Sequence, residues 1–299
     1  MKFSSDGRPR REPLYVVFTM DCERIAAESP EGGPEDWDLS ERAIAGFCET
    51  LLGEGIRPTL FLMPETAQRH KRLLRGLAAQ GVDLGMHMHP QCFGDHRHTR
   101  YLGEYDRDEQ SAILAEGLDT VGDALGARPR SFRSGNFSAS DDTFPVLHEL
   151  GFRQGCVSNP GRNIARFHAY WTGACQDVHR ADAVDRLVAG QLDFLEVPLT
   201  TDPDRVDSNG WAPELRIESG GFRAHHLPII ERALERMDTE RVAFRALCVF
   251  THNCFDYSDG GVEQSGTLRD LVRHFGTLAE HHDVRFVNLA ALRAAFDEG

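Results

Sequence analysis

Short apolar runs alternate with longer amphipathic stretches along this chain, and that rhythm restricts the fold more than any other feature. Tyr15 to Met20 is apolar and rich in β-formers, as expected of a strand buried on both faces. Helical periodicity follows from Asp38 to Leu52, with Asp38–Ser40 as capping residues and Gly53 and Gly55 as stops. Thr59–Leu62 reads as the second strand, 65–80 as a helix closed by Gly81, and 82–86 as the third strand. Strands at 130–132, 152–157, 192–197, 246–251 and 284–287 then alternate with helices at 108–125, 141–150, 227–237, 268–281 and 289–296. A β-then-α order kept this long specifies a parallel sheet covered by helices. About seven such units suit a distorted (β/α)7–8 barrel. A doubly wound open sheet shares the periodicity and stays open as the alternative. No repeat, low-complexity tract or linker divides the sequence, so one catalytic domain over 1–299 is expected, with a short polar extension at 1–12. Residues 200–222 show no clear periodicity, which points to a lid or binding loop or, equally, to an inert insertion.

Composition removes several function classes. Lysine and arginine number 33 against 47 aspartates and glutamates, a formal net charge of −14. Such a surface repels phosphate backbones, so a nucleic-acid role is not expected. No stretch approaches the roughly 20 apolar residues of a membrane span. The seven cysteines include no CxxC pair, which argues against a zinc ribbon or a disulfide framework. Cys48 and Cys248 lie in apolar surroundings and read as small buried hydrophobes. The first apolar run leads into Asp21 and Glu23 rather than into a cleavage site. These observations point to a reducing compartment, the cytoplasm.

Ionisable residues stand where the expected strands end, and in a parallel barrel those ends form the rim that carries the active site. Strand one ends in Asp21 and Glu23, strand three in His87 and His89, the Phe132 strand in Arg133, and the Val249 strand in His252. Asp21 and Glu23 stand at i and i+2, on one face of an extended chain. Two close carboxylates raise each other's pKa unless a cation separates them, so a metal or an arginine is expected beside them. A strand-end carboxylate that merely caps a helix is the plainer alternative. His87 and His89 repeat the i, i+2 geometry with imidazoles, which suits one divalent ion shared with a carboxylate. His96 and His98 fall in a loop of mixed charge and read as solvated. Arg133 precedes Gly135, which lets the backbone pass close to a ligand, and the amide that follows can donate to an oxyanion. An imidazole at the end of a late strand, as at His252, could serve as a general acid, and a buried, hydrogen-bonded structural histidine is the plainer alternative.

The segments Thr19–Glu23, Leu84–Pro90, Ser131–Asn136, Leu195–Pro198 and Val249–His252 resemble, in order, the motifs of the NodB-homology domain of the polysaccharide-deacetylase superfamily, which includes carbohydrate esterase family 4. The resemblance implies a distorted (β/α) barrel in which a divalent metal, most simply zinc, activates water against an acetamide. It implies that Asp21 is the general base, Arg133 the residue orienting it, His252 the general acid, and the Asn136 amide part of an oxyanion hole. Two motifs depart from the usual pattern. Cys22 replaces the second aspartate, so Glu23 is expected to join Asp21, His87 and His89 at the metal. The histidine pair is compressed to i, i+2, with Gln91 where the partner usually stands. Glu196 in the fourth segment and Trp211 in the aperiodic stretch are the expected substrate contacts. The implied activity is N-deacetylation of a sugar or glycoconjugate precursor. A metal-independent hydrolase of cyclic amides or ureides and a degenerate carbohydrate-binding barrel remain the alternatives.

Overall fold

The computed structural model describes residues 13–29, 32–95, 97–280 and 282–299. The expected extension at 1–12 and His96 lie outside these residues. Strand β1, Leu14–Cys22, is buried along its whole length. Helix α1, Trp37–Gly53, follows, and its cap is Asp36, which accepts from the Leu39 amide at 2.7 Å. The cap thus lies two residues before the one the sequence suggested. Strand β2 is Thr59–Leu62.

The single helix expected over 65–80 is two, α2 (Pro64–Arg69) and α3 (Lys71–Ala78). The break is His70, with φ −103° and ψ 19°. Its buried ring meets Ser40 Oγ at 3.0 Å and the edge of Trp37. A tertiary contact here overrides helix propensity. Then come β3 (Asp83–Met88), α4 (Arg107–Leu125), β4 (Ser131–Ser134), α5 (Thr143–Glu149) and β5 (Gln154–Gly155). Asp106 and Glu109 form a capping box ahead of α4, and Gly126, at φ 83°, ends it.

The region beyond is irregular, with short strands β6 (Asn163–Ile164), β7 (Ala169–Tyr170), β8 (His179–Arg180) and β9 (Leu195–Glu196). Helix α6 (Leu227–Glu240), β10 (Arg245–His252), α7 (Glu263–Ala279), β11 (Val284–Phe286) and α8 (Leu289–Glu298) complete the order. The main sheet runs β10-β1-β2-β3-β4-β5-β9-β8, with β11 also paired to β1. Every pairing in it is parallel except β8 with β9. The parallel order settles the α/β class, and the sheet curls into the distorted barrel expected.

The curl is closed by residues 200–222, the stretch expected to form a lid or loop. Thr200 and Leu215 bridge toward β10: the Thr200 amide donates to the Cys248 carbonyl at 3.3 Å, and the Phe250 amide donates to the Leu215 carbonyl at 3.1 Å. Arg216 pairs with Phe250 in parallel register. Leu215 and Ile217 are buried in the core, so the segment is a seam rather than a flap. Among the described residues, no helix is long and apolar enough to cross a membrane.

Candidate active site

The carboxyl ends of β1, β3, β4 and β10 meet at one pocket of about 130 Å³. Asp21, Glu23, His87, His89, Asn136, Trp211 and His252 all line it. Register explains the convergence: Asp21 stands beside His252, and His87 beside Arg133, in neighbouring parallel strands.

Glu23, His87 and His89 form the tightest cluster, with donor atoms all within 4.8 Å of one another. Both Nε2 atoms meet the same carboxylate oxygen, Oε1, at 3.1 Å from His87 and 2.9 Å from His89. The other oxygen, Oε2, is buried and has no hydrogen-bond partner among the described residues. His87 Nδ1 faces the Arg133 carbonyl at 3.0 Å and so donates its proton there. In a neutral ring, Nε2 then offers a lone pair toward the carboxylate. Two such centres repel unless a proton or a cation lies between them. Burial works against the charge of Glu23, but the two imidazoles prevail and hold its carboxyl well below the usual range. Burial likewise opposes a charged His87, yet Asp21 and Glu23 outweigh it and raise its pKa. Two nitrogens and a carboxylate are a donor set that fits a divalent ion with positions left open.

Asn253, adjacent to His252, pins this cluster from below. Its side chain accepts from the Glu23 amide at 2.9 Å and donates to the Glu23 carbonyl at 3.1 Å. Gly135 makes room for it above. A Cβ there would stand 2.3 to 2.5 Å from the His89 ring. The close approach expected at this glycine is thus to His89 rather than to a ligand. Gly135→Ala is expected to displace that imidazole and weaken divalent-metal affinity about 10- to 100-fold, with the fold retained. A competition titration with a chromogenic chelator measures it, and unchanged affinity removes His89 from the donor set.

Asp21 stands outside the cluster, engaged by Arg133. Nη1 of that arginine donates to Asp21 Oδ1 at 2.6 Å, and Nη2 donates to Thr19 Oγ1 at 2.9 Å. Arg133 is fully buried, with the ring of Phe61 4.4 Å from its guanidinium carbon. Burial works against its charge, but Asp21 outweighs it and raises the pKa further.

A sequence model of the family described as polysaccharide deacetylase matches residues 34–155, the stretch holding His87, His89, Arg133 and Asn136. Over that stretch the chain is similar to the polysaccharide deacetylases. The match and the shared fold support a hydrolase acting on carbon–nitrogen bonds, in carbohydrates or other amides. Solved structures agree on the fold. One from Mycobacterium smegmatis, described as a polysaccharide deacetylase, is 16% identical, covering 96% of this chain and 92% of its own, with a TM-score of 0.60. Another so described, from Pseudomonas aeruginosa PAO1, is 14% identical with coverages of 98% and 96% and a TM-score of 0.56. Puue allantoinase is 14% identical, with coverages of 98% and 95% and a TM-score of 0.59. No curated protein sequence matches the chain.

Further residues that the motifs did not single out stand behind and along this pocket. Glu218 Oε1 meets His252 Nδ1 at 2.5 Å, and Thr251 Oγ1 donates to Glu218 Oε2 at 2.7 Å. Burial opposes the Glu218 charge, but His252 and then Arg216 win and bring its carboxyl to about 2. A carboxylate on Nδ1 leaves Nε2 of His252 for the pocket. Glu218 ends the run Glu214-Leu-Arg-Ile-Glu218, whose strict alternation is the period of a strand. That was the available signal. Arg162 and Arg216 line the pocket as well.

Asn136 lies at φ 55° and Phe137 at φ 56°. Each left-handed L-residue costs roughly 1–2 kcal/mol, so this turn is strained. Trp211 packs its ring 4.7 Å from the Arg162 guanidinium carbon. His98 is half-buried, stacked on Phe93 and edge-on to Tyr105.

Glu196, expected at the substrate, is corrected. It is fully buried and is not among the residues lining the pocket. Its Oε1 accepts from the amides of Val157 and Ser158 at 3.0 and 2.8 Å and from the Ser158 hydroxyl at 2.7 Å. It therefore tethers the chain after β5. Burial, helped by Cys156, pushes its pKa up to about 8 despite those donors. The folded state thus holds this proton to higher pH than the unfolded state, and Glu196 costs stability as pH rises from about 4.5 to about 8. Glu196→Gln keeps all three acceptor contacts at Oε1. It is expected to gain on the parent by a few kcal/mol across that window, and denaturant melts at pH 5 and pH 8 measure the difference.

Proposed function

We propose that this chain is a divalent-metal-dependent N-deacetylase acting on a sugar or glycoconjugate precursor. The observation that carries this reading is the convergence of Glu23, His87 and His89 on a pocket that Asp21 and His252 also line. Glu23, His87 and His89 would hold the ion, with zinc the simplest choice for this donor set. When bound, a divalent ion supplies Lewis acidity, lowering the pKa of water and polarising a carbonyl.

This chain's residues do the rest. Asp21, held and oriented by Arg133, takes a proton from the attacking water. His252, oriented through Nδ1 by Glu218, delivers a proton from Nε2 to the departing amine. The backbone amides of the Asn136 turn donate to the developing oxyanion. Trp211 offers an aromatic wall to the substrate. Seven free cysteines, five of them buried, support a reducing compartment and hence a soluble precursor rather than a finished wall polymer.

The test joins metal analysis of the purified protein to a deacetylation screen on N-acetyl sugars and their phosphate-linked forms. About one divalent ion per chain, and turnover that disappears on chelation and returns with zinc, are expected. Activity that survives exhaustive chelation would select the metal-independent cyclic-amide reading instead. Ligand binding with no turnover under any metal would select the degenerate barrel.

A further inference from the structure

The strained turn in the pocket wall is held by two buried donors. The Asn136 carbonyl accepts from Arg162 Nη1 at 3.2 Å, and the Phe137 carbonyl accepts from the Trp171 indole at 2.7 Å. These donors are themselves joined, because the Trp171 amide donates to the Arg162 carbonyl at 2.8 Å. Arg162 is 3% exposed. The rings of Phe137 and Trp211 lie 4.8 and 4.7 Å from its guanidinium carbon. Its Nη2 donates to Glu214 Oε2 at 2.7 Å. From there, charges alternate across the pocket: Glu214 to Arg216 at 3.7 Å, Arg216 to Glu218 at 2.8 Å, and Glu218 to His252 at 2.5 Å.

In a trans peptide, N–H points opposite to C=O. Fixing the Asn136 carbonyl on Arg162 therefore fixes the direction of the Phe137 N–H. We propose that Arg162 is a positioning residue. Through the Asn136 carbonyl it holds the left-handed turn in the shape that aims backbone amides at the developing oxyanion. Through Glu214, Arg216 and Glu218 it shares one rigid support with His252. Lysine at 162 would keep one donor for Asn136 but lose the fork to Glu214. What the amides accomplish rests on the hydrolase reading above, whereas the clamp is a matter of backbone conformation.

The experiment compares Arg162→Gln, Arg162→Lys and Glu214→Gln with the parent protein. It reads steady-state kinetics on the substrate the parent turns over, metal content, and hydrogen–deuterium exchange over 134–139. Arg162→Gln is expected to lower kcat about 100-fold, with KM within about threefold, metal content unchanged, and exchange over 134–139 accelerated. Arg162→Lys should recover part of kcat, and because it keeps the charge it also covers the case in which the glutamine variant fails to fold. The Arg162→Gln/Glu214→Gln pair should be no slower than Arg162→Gln alone, because the two act as one unit. A raised KM at unchanged kcat would make Arg162 a substrate contact and overturn the proposal, as would kinetics and exchange both unmoved. If the parent hydrolyses no amide, the functional reading falls. Exchange then decides alone: protection over 134–139 that is indifferent to Arg162→Gln overturns the clamp, and lost protection sustains it.

Discussion

Asp21→Asn is expected to lower kcat by about 10²- to 10⁴-fold with little change in KM, the range lost with a general base. The substitution is nearly isosteric, and the asparagine oxygen still accepts from Arg133 where Asp21 Oδ1 does at 2.6 Å. What disappears is the basicity and the negative charge. Arg133 then keeps a fully buried cation without its counter-ion. Removing one partner of a buried pair costs about 3–5 kcal/mol. Here the loss falls toward the lower end, because Thr19 and the Phe61 ring still solvate the guanidinium. A lowered melting temperature should therefore accompany the lost turnover. Rate assays run well below the variant's melting temperature separate the two effects. A kcat within about threefold of the parent would remove Asp21 from the chemistry.

The second large effect belongs to the histidines. His87→Ala with His89→Ala is expected to take bound divalent metal from about one ion per chain to none, and turnover with it. The double variant leaves Glu23 as a lone buried carboxylate. The imidazoles now hold its pKa well below the usual range against the effect of burial. Without them the effect of burial is unopposed by the imidazoles and pushes that pKa up. Elemental analysis by plasma emission reads the metal, and circular dichroism checks the fold. Full metal retention would move the ion elsewhere and end the assignment.

The rim residues were legible because their signal is local. A strand that ends in Asp21-Cys-Glu23 or His87-Met-His89 announces both its element and the side chains it brings to the rim. Several helix ends were legible to within a residue or two, Gly126 being a local stop, whereas α6 runs three residues past the expected 237 and α7 begins five residues before the expected 268. The break at His70 was not legible, since its cause is Ser40 in another helix. Glu196 misled because a carboxylate near a strand end looks the same whether it faces a pocket or its own backbone. Residues 200–222 were misread for a different reason. Their strand character is confined to isolated bridges at Thr201, Glu214 and Arg216, too little to stand out, and the partner Phe250 lies far along the chain.

That seam has a further consequence. The segment that joins β10 through Arg216 and Phe250 also carries Glu218, the carboxylate behind His252, so closing the sheet and orienting that imidazole are a single event. A chain whose seam has not yet formed retains the β1 and β3 donors but lacks an aimed acid. Under the proposed mechanism, incompletely folded molecules would lack that acid, and turnover would report closure.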